Sequence, residues 1–195
     1  LLVVATATAA PPRSAARILA DKLVSQMTFD EKISLLHGWP GPYVGQTAPI
    51  KRLGVPAMTM EDGPQGVADG TSGATAGPLG LTVTATFDVM LAQMFGAAMG
   101  VEQRMKGTVV LLGPMVNLAR VPVGGRNFES TGEDPELAAQ IGAAIVTGIQ
   151  SAGIAACVKH LAFNNQELNR TLTTAHVDER TAHEIYFKPF RAAVD

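Results

Sequence analysis

From Ser14 to Met27 apolar residues recur every three or four positions, which predicts an amphipathic helix. Thr28 and Glu31 have the spacing of a capping box, so a second, short helix starts at once. Residues 38 to 56 lose the period, are rich in Gly and Pro, and read as a loop. The run "PAMTME" predicts a short strand ending at Glu61 and Asp62, and "DGPQGVADGTSGATAGPLG" a long glycine-rich loop. Asp88 then opens a helix to about Lys106, "TVVLLG" is a buried strand, and "PMVNLARVPVGGRNFESTGE" is a second long loop. Asp134, Pro135 and Glu136 are an N-cap, a first-turn proline and an acid at the positive end of the dipole, and the helix they start runs to about Gly153. The strand "IAACV" ends at Lys159 and His160, and a loop to Val177 precedes a helix opened by "DERTAHEIYF".

Strands alternating with helices predict an α/β chain with a mostly parallel sheet, and each long polar loop follows the C-terminal end of a strand. That is the organisation of a (β/α)8 TIM-type barrel. Such a barrel needs at least about 200 residues and usually about 250, so the expectation is an incomplete barrel, its N-terminal half. A doubly wound open sheet is the other fold at this length, but no GxGxxG or GxxxxGK fingerprint follows a strand. Residues 1 to 12 combine a short apolar run with small residues, like the end of a secretory signal, and equally suit a frayed start. We exclude them from the fold, assign residues 13–195 to the barrel portion, and rest the expectation of an extracellular protein on that leader alone. Both ends read as cut, so a missing C-terminal part of the same chain is an expected partner.

With 47% hydrophobic and 16% charged residues the chain has the means to fill a core. A net charge of -2 provides no basic field for nucleic acid or an anionic membrane, which leaves small neutral ligands as the better fit. The single cysteine, Cys157, lies in an apolar run and is expected to be a buried, inert thiol. No metal-ligand spacing occurs, and no cofactor is expected.

Charge is concentrated after the strands: Asp62, Arg126, Lys159 and His160, with Arg170 slightly later. On a barrel these positions converge. A carboxylate accepts from two neighbouring hydroxyls of a pyranose while Arg, Lys and a protonated His donate, so the set suits one sugar ring held in one orientation. Burial would require Asp62 to have cationic partners and Lys159 an anionic one. A phosphate site would use the same cations, yet Asp62 and the acids Glu129, Glu133 and Glu167 would repel an anion. Taken singly, Arg126 also reads as a solvated charge and Lys159–His160 as an exposed strand end.

The segments "MTFDEKISLLHG", "MEDGPQGV", "GLTVTATFD", "LGPMVNLARVPVGGRNFESTGEDPELAAQIGAAIVTGIQSAGIAACVKHLAFNNQE" and "VDERTAHEIYFKPFRAAV" resemble, in order, glycoside hydrolase family 3 of the β-glucosidase type. The resemblance implies that Asp62, Arg126, Lys159, His160 and Arg170 bind the non-reducing glucose of a β-glucoside or oligosaccharide, with Glu129 and Glu167 in support. "LAFNNQELNR" lacks the His and Asp loop of members that remove N-acetylglucosamine, and Asp62 argues against the xylosidase-like members. Ala68 stands where many relatives have arginine. Family members are retaining hydrolases with an aspartate nucleophile and a separate acid/base. Neither is identifiable here: Asp178 reads as an N-cap, Asp195 is the last residue, and both catalytic carboxylates are expected beyond Asp195. The chain alone is therefore expected to be inactive, and the alternative is a stand-alone sugar-binding or regulatory protein derived from such an enzyme. The sequon at Asn169 is not read as glycosylated, because Arg170 is assigned to the pocket, and Trp39, Tyr43 and Tyr186 are read as packing residues rather than sugar platforms.

Overall fold

The computed structural model describes residues 14–68 and 70–195. The leader expected at residues 1–12 lies outside the described residues. The chain divides into two compact units, one of residues up to Trp39 plus Thr47–Ala57, the other of Pro40–Gln46 plus Met58–Asp195.

In the first unit, α1 (Ala15–Gln26) starts at Ser14, whose hydroxyl accepts the Arg17 N–H at 3.2 Å. The capping box of α2 (Phe29–Ser34) is fully formed, with Thr28 and Glu31 exchanging bonds of 2.9 and 3.2 Å. Glu31 also receives Arg52 in a two-pronged bond of 2.5 and 3.1 Å. Part of the expected 38–56 loop is ordered here as a single 3-10 turn, Lys51–Leu53, closed by Gly54 at φ 67°.

The second unit is a four-stranded sheet in the order β1 (Gly45–Gln46), β2 (Thr59–Asp62), β3 (Val110–Leu112), β4 (Ala155–Ala156). β2, β3 and β4 are parallel, while β1 pairs antiparallel with β2 and is a strand that the Gly- and Pro-rich sequence conceals. After the glycine-rich loop comes α3 (Gly80–Thr84), also unexpected. Then follow α4 (Val89–Met105), α5 (Pro135–Ser151), α6 (Glu179–Thr181) and α7 (Lys188–Val194), with five residues of π-helix, Ala182–Tyr186, between the last two. Asp88, Asp134 and Asp178 all act as N-caps, accepting backbone N–H bonds of 3.0, 2.8 and 2.9 Å.

Helices α4 and α5 bury Ala92, Met99, Ile141, Ile145 and Ile149 against Leu111 and Ile154. Their backbones nearly touch: a Cβ on Gly96 would lie 2.3 Å from the Ile145 carbonyl oxygen, and one on Gly148 2.1 Å from that of Gln93. The row Glu61, Leu111 and Ala156 shares the helix-facing side through the parallel register. Ala155 and Cys157 have the opposite parity and are exposed. The expected buried thiol is thus corrected: an apolar run does not reveal which of its two faces is covered.

Candidate functional site

The parallel strands end at one edge, and three extensions beyond that edge carry the charges predicted from sequence. Asp62 is the last residue of β2. Its carbonyl accepts from Gln103 Nε2 at 3.2 Å and its N–H donates to the buried Glu61 carboxylate at 3.1 Å, so its backbone is gripped from α4 and from its own strand. Lys159 lies beyond β4 and is held in ladder fashion to the segment after β3, donating its N–H to Pro114 at 3.0 Å and accepting from Val116 at 2.9 Å. Arg126 precedes a 3-10 turn, Asn127–Glu129, that brings Glu129 back beneath it. Gly124 and Gly125 serve this turn by being small: a Cβ at 124 would meet Asn127 Oδ1 at 2.4 Å, and one at 125 would press on Glu167 at 3.3 Å.

The charges then form one chain of ion pairs. Lys159 Nζ bonds Asp62 Oδ1 and lies 3.7 Å from Glu129 Oε2. Glu129 Oε1 accepts from Arg126 Nε at 2.6 Å, Arg126 Nη1 is 3.6 Å from Glu167 Oε1, and Glu167 Oε2 is 3.2 Å from Arg170 Nε. Both partners expected on grounds of burial are present, a cation for Asp62 and an acid for Lys159. Exposure grades along the chain: the side chains of Glu129 and Lys159 are 7% and 11% exposed, that of Asp62 32% and that of Arg170 56%. Arg170 therefore joins the cluster only through Glu167, at its open end. Glu133, counted among the anion-repelling acids, is exposed.

Burial opposes the charge on Arg126, but the bond and charge of Glu129, with the charges of Glu167 and Asp62, outweigh it and hold its pKa above the ordinary value. His160 goes the other way: burial first, then Arg126 and Lys159, push it down to about 4, against weaker opposition from Glu129 and Glu167. The expectation of a protonated histidine is corrected: near neutral pH this ring is uncharged, with one N–H to donate and one nitrogen to accept.

Two polar residues of the site escaped sequence reading. Asn117, buried beyond β3, bonds the 159–162 turn through both ends of its amide, and that turn contains the cis peptides Lys159–His160 and Leu161–Ala162. Glu61 is fully buried, with Oε2 free of hydrogen bonds. A charged residue next to Asp62 in "MED" was the visible signal for Glu61; for Asn117 only its place in a strand-end loop pointed to it.

The assembled edge presents an accepting carboxylate flanked by an ammonium, a guanidinium and a neutral imidazole. That mixture of donors and acceptors holds neutral hydroxyl-rich molecules better than anions. No cluster able to hold a metal ion occurs among the described residues. A cavity of about 460 Å³ between the glycine-rich loop and α4, lined by Phe95, Met99, Met105 and loop residues, shares no residue with the charged cluster.

Residues 9–195 match the model of the glycosyl hydrolase family 3 N terminal domain. The chain belongs to that family. This family 3 domain is 43% identical over 185 residues to a probable β-glucosidase F of Emericella nidulans, covering 90% of the chain and 21% of the relative. It is 40% identical to thermostable β-glucosidase B of Acetivibrio thermocellus, covering 89% and 24%. Among solved structures it is similar to DesR, a β-glucosidase from Streptomyces venezuelae in complex with D-glucose, with TM-score 0.86, 43% identity, and coverage of 89% of this chain and 23% of that one. It is likewise similar to β-glucosidase 3B from Thermotoga neapolitana in complex with α-D-glucose, with TM-score 0.83, 37% identity and coverage of 90% and 27%. The family 3 domain thus spans about a quarter of the length of these relatives.

Proposed function

We propose that this chain is the N-terminal part of a family 3 β-glucosidase that removes terminal non-reducing β-D-glucosyl residues, and that Asp62, Arg126, Lys159, His160 and Arg170 hold the glucose. In this reading residues 13–195 form the first portion of a (β/α)8 barrel, Glu129 and Glu167 orient the cations, and the protein acts outside the cell. The observation that carries it is the single ion-pair chain from Asp62 to Arg170 at the C-terminal edge of the parallel strands. Solved β-glucosidase structures of similar fold with glucose bound support the choice of ligand.

The two catalytic carboxylates are assigned outside these 195 residues. Retaining hydrolysis requires one carboxylate free to attack and another free to protonate the leaving oxygen. Each acid of the ion-pair chain is instead tied to a cation, Glu61 is fully buried beneath Asp62 and bonded to its N–H, Asp178 caps α6, and Asp195 pairs with Arg191 at 3.3 Å. The full-length relatives, about four times longer, have room for the missing pair.

Steady-state hydrolysis of aryl β-glucoside, β-xyloside and N-acetyl-β-glucosaminide by the full-length polypeptide tests the proposal. It predicts the highest kcat/KM for the glucoside; preference for either other sugar, or for none, contradicts it.

A further inference from the structure

Asn117 has 2% of its surface exposed, and its amide is fully committed to the turn that carries His160. Nδ2 donates to the carbonyls of His160 and Ala162 at 2.9 and 3.0 Å, and Oδ1 accepts the His160 backbone N–H at 2.6 Å. These three bonds decide which end of the amide is oxygen, because the reverse orientation would set oxygen against two carbonyls and NH₂ against an N–H. The same Oδ1 lies 3.2 Å from His160 Nδ1. An amide oxygen only accepts, so Nδ1 must carry the hydrogen of this contact. A neutral imidazole has one N–H, and Nε2 is then a bare acceptor. The charged groups acting on the ring are Arg126 and Lys159 on one side of the balance and Glu129 and Glu167 on the other; with burial they leave it neutral down to about pH 4.

We propose that Asn117 is a positioning residue that locks His160 as the Nδ1–H tautomer, so that His160 meets the sugar with Nε2 as an acceptor and takes a hydrogen bond from one hydroxyl. The inference rests on the glucose-site reading for its ligand but not for its tautomer. It gives the cluster a specificity that cations alone lack. Lys159 and Arg126 would serve any oxygen, whereas a bare Nε2 rewards an oxygen that carries a hydrogen and repels a phosphate or carboxylate oxygen that carries none.

The tautomer is read from imidazole ¹⁵N shifts of the full-length polypeptide at pH 7, with the His160 signals identified by their loss in His160→Gln. The expected result is a protonated Nδ1 and an unprotonated Nε2; an Nε2–H signal overturns the proposal whether or not the protein cleaves glucosides. The ligand side is read with monodeoxy and monodeoxyfluoro β-glucosides, since fluorine does not donate. At one ring position both should lose kcat/KM by about 10-fold or more, a neutral hydrogen bond's worth, and His160→Ala should abolish that loss. If the fluoro compound outperforms the deoxy compound at every His160-dependent position, His160 donates and the proposal fails. Absence of any glucoside hydrolysis would instead overturn the β-glucosidase reading and leave the tautomer to the ¹⁵N shifts. Asn117→Asp places a carboxylate against Nδ1 and should move the acid limb of kcat/KM to higher pH; a uniform loss at all pH would mean that Asn117 is only structural.

Discussion

Glu129 is the residue on which the charged cluster depends, because its two oxygens face Arg126 and Lys159 from a site that is 7% exposed. Replacing it by glutamine keeps the shape and removes the charge that balances two cations. Glu129→Gln is expected to lower kcat/KM for an aryl β-glucoside by about 10- to 100-fold, as loss of a supporting group behind a binding residue commonly does. Glu133→Gln, at an exposed position in the same stretch, should leave it unchanged in the same assay. His160 links the site to acid stability. Its folded pKa, about 4, lies below the ordinary 6.5, so the unfolded chain binds the extra proton between those values. Its contribution is present in full above pH 6.5 and is lost as pH falls toward 4. Melting temperatures across that range should fall more steeply for the native protein than for His160→Gln; parallel curves would contradict the assignment. Sequence made Asp62, Arg126, Lys159 and His160 legible because parallel strands deliver whatever follows them to one edge. It could not show the protonation of His160, which depends on burial and on charges from two separate loops.

Among the elements, the α4–α5 pair fixes the sheet edge from which the site projects, and it relies on contacts too close for a side chain. Gly96→Ala and Gly148→Ala would force a methyl group to within 2.3 and 2.1 Å of carbonyl oxygens on the facing helix. Helices do not yield locally at such contacts, so each change is expected to destabilise the protein by about 1–3 kcal/mol in urea denaturation. Helix starts were the most legible part of the fold. Thr28, Asp88, Asp134 and Asp178 each accept a capping bond where the sequence starts a helix, since a cap involves only three or four neighbouring residues, and Ser14, expected only as the start of its helix, caps it as well. Strands were less legible, because their length is set by partners distant in sequence. "IAACV" contributes only Ala155 and Ala156 to the sheet, and β1 exists only because Gly45 and Gln46 meet Met60 and Thr59.

At the scale of the molecule, the apolar core of the second unit lies on the helix side of the sheet, and β1 and β4 are its outer strands. Leu161, Leu168, Leu172 and Phe128 are exposed around the strand-end loops. Unpaired strand edges and apolar loops of this kind favour association, so the 195-residue chain expressed by itself is expected to self-associate in light scattering and to hydrolyse no glucoside. A soluble monomer with a cooperative melt would contradict the first expectation. The central claim, that the cluster holds the terminal glucosyl unit, is tested most directly by comparing kcat/KM for 4-nitrophenyl β-D-glucoside between the full-length polypeptide and its Asp62→Ala variant. Removing Asp62 deletes the accepting carboxylate and leaves Lys159 without its bonded partner, so a loss of about 30-fold or more is predicted. An unchanged kcat/KM in the Asp62→Ala variant would contradict the account.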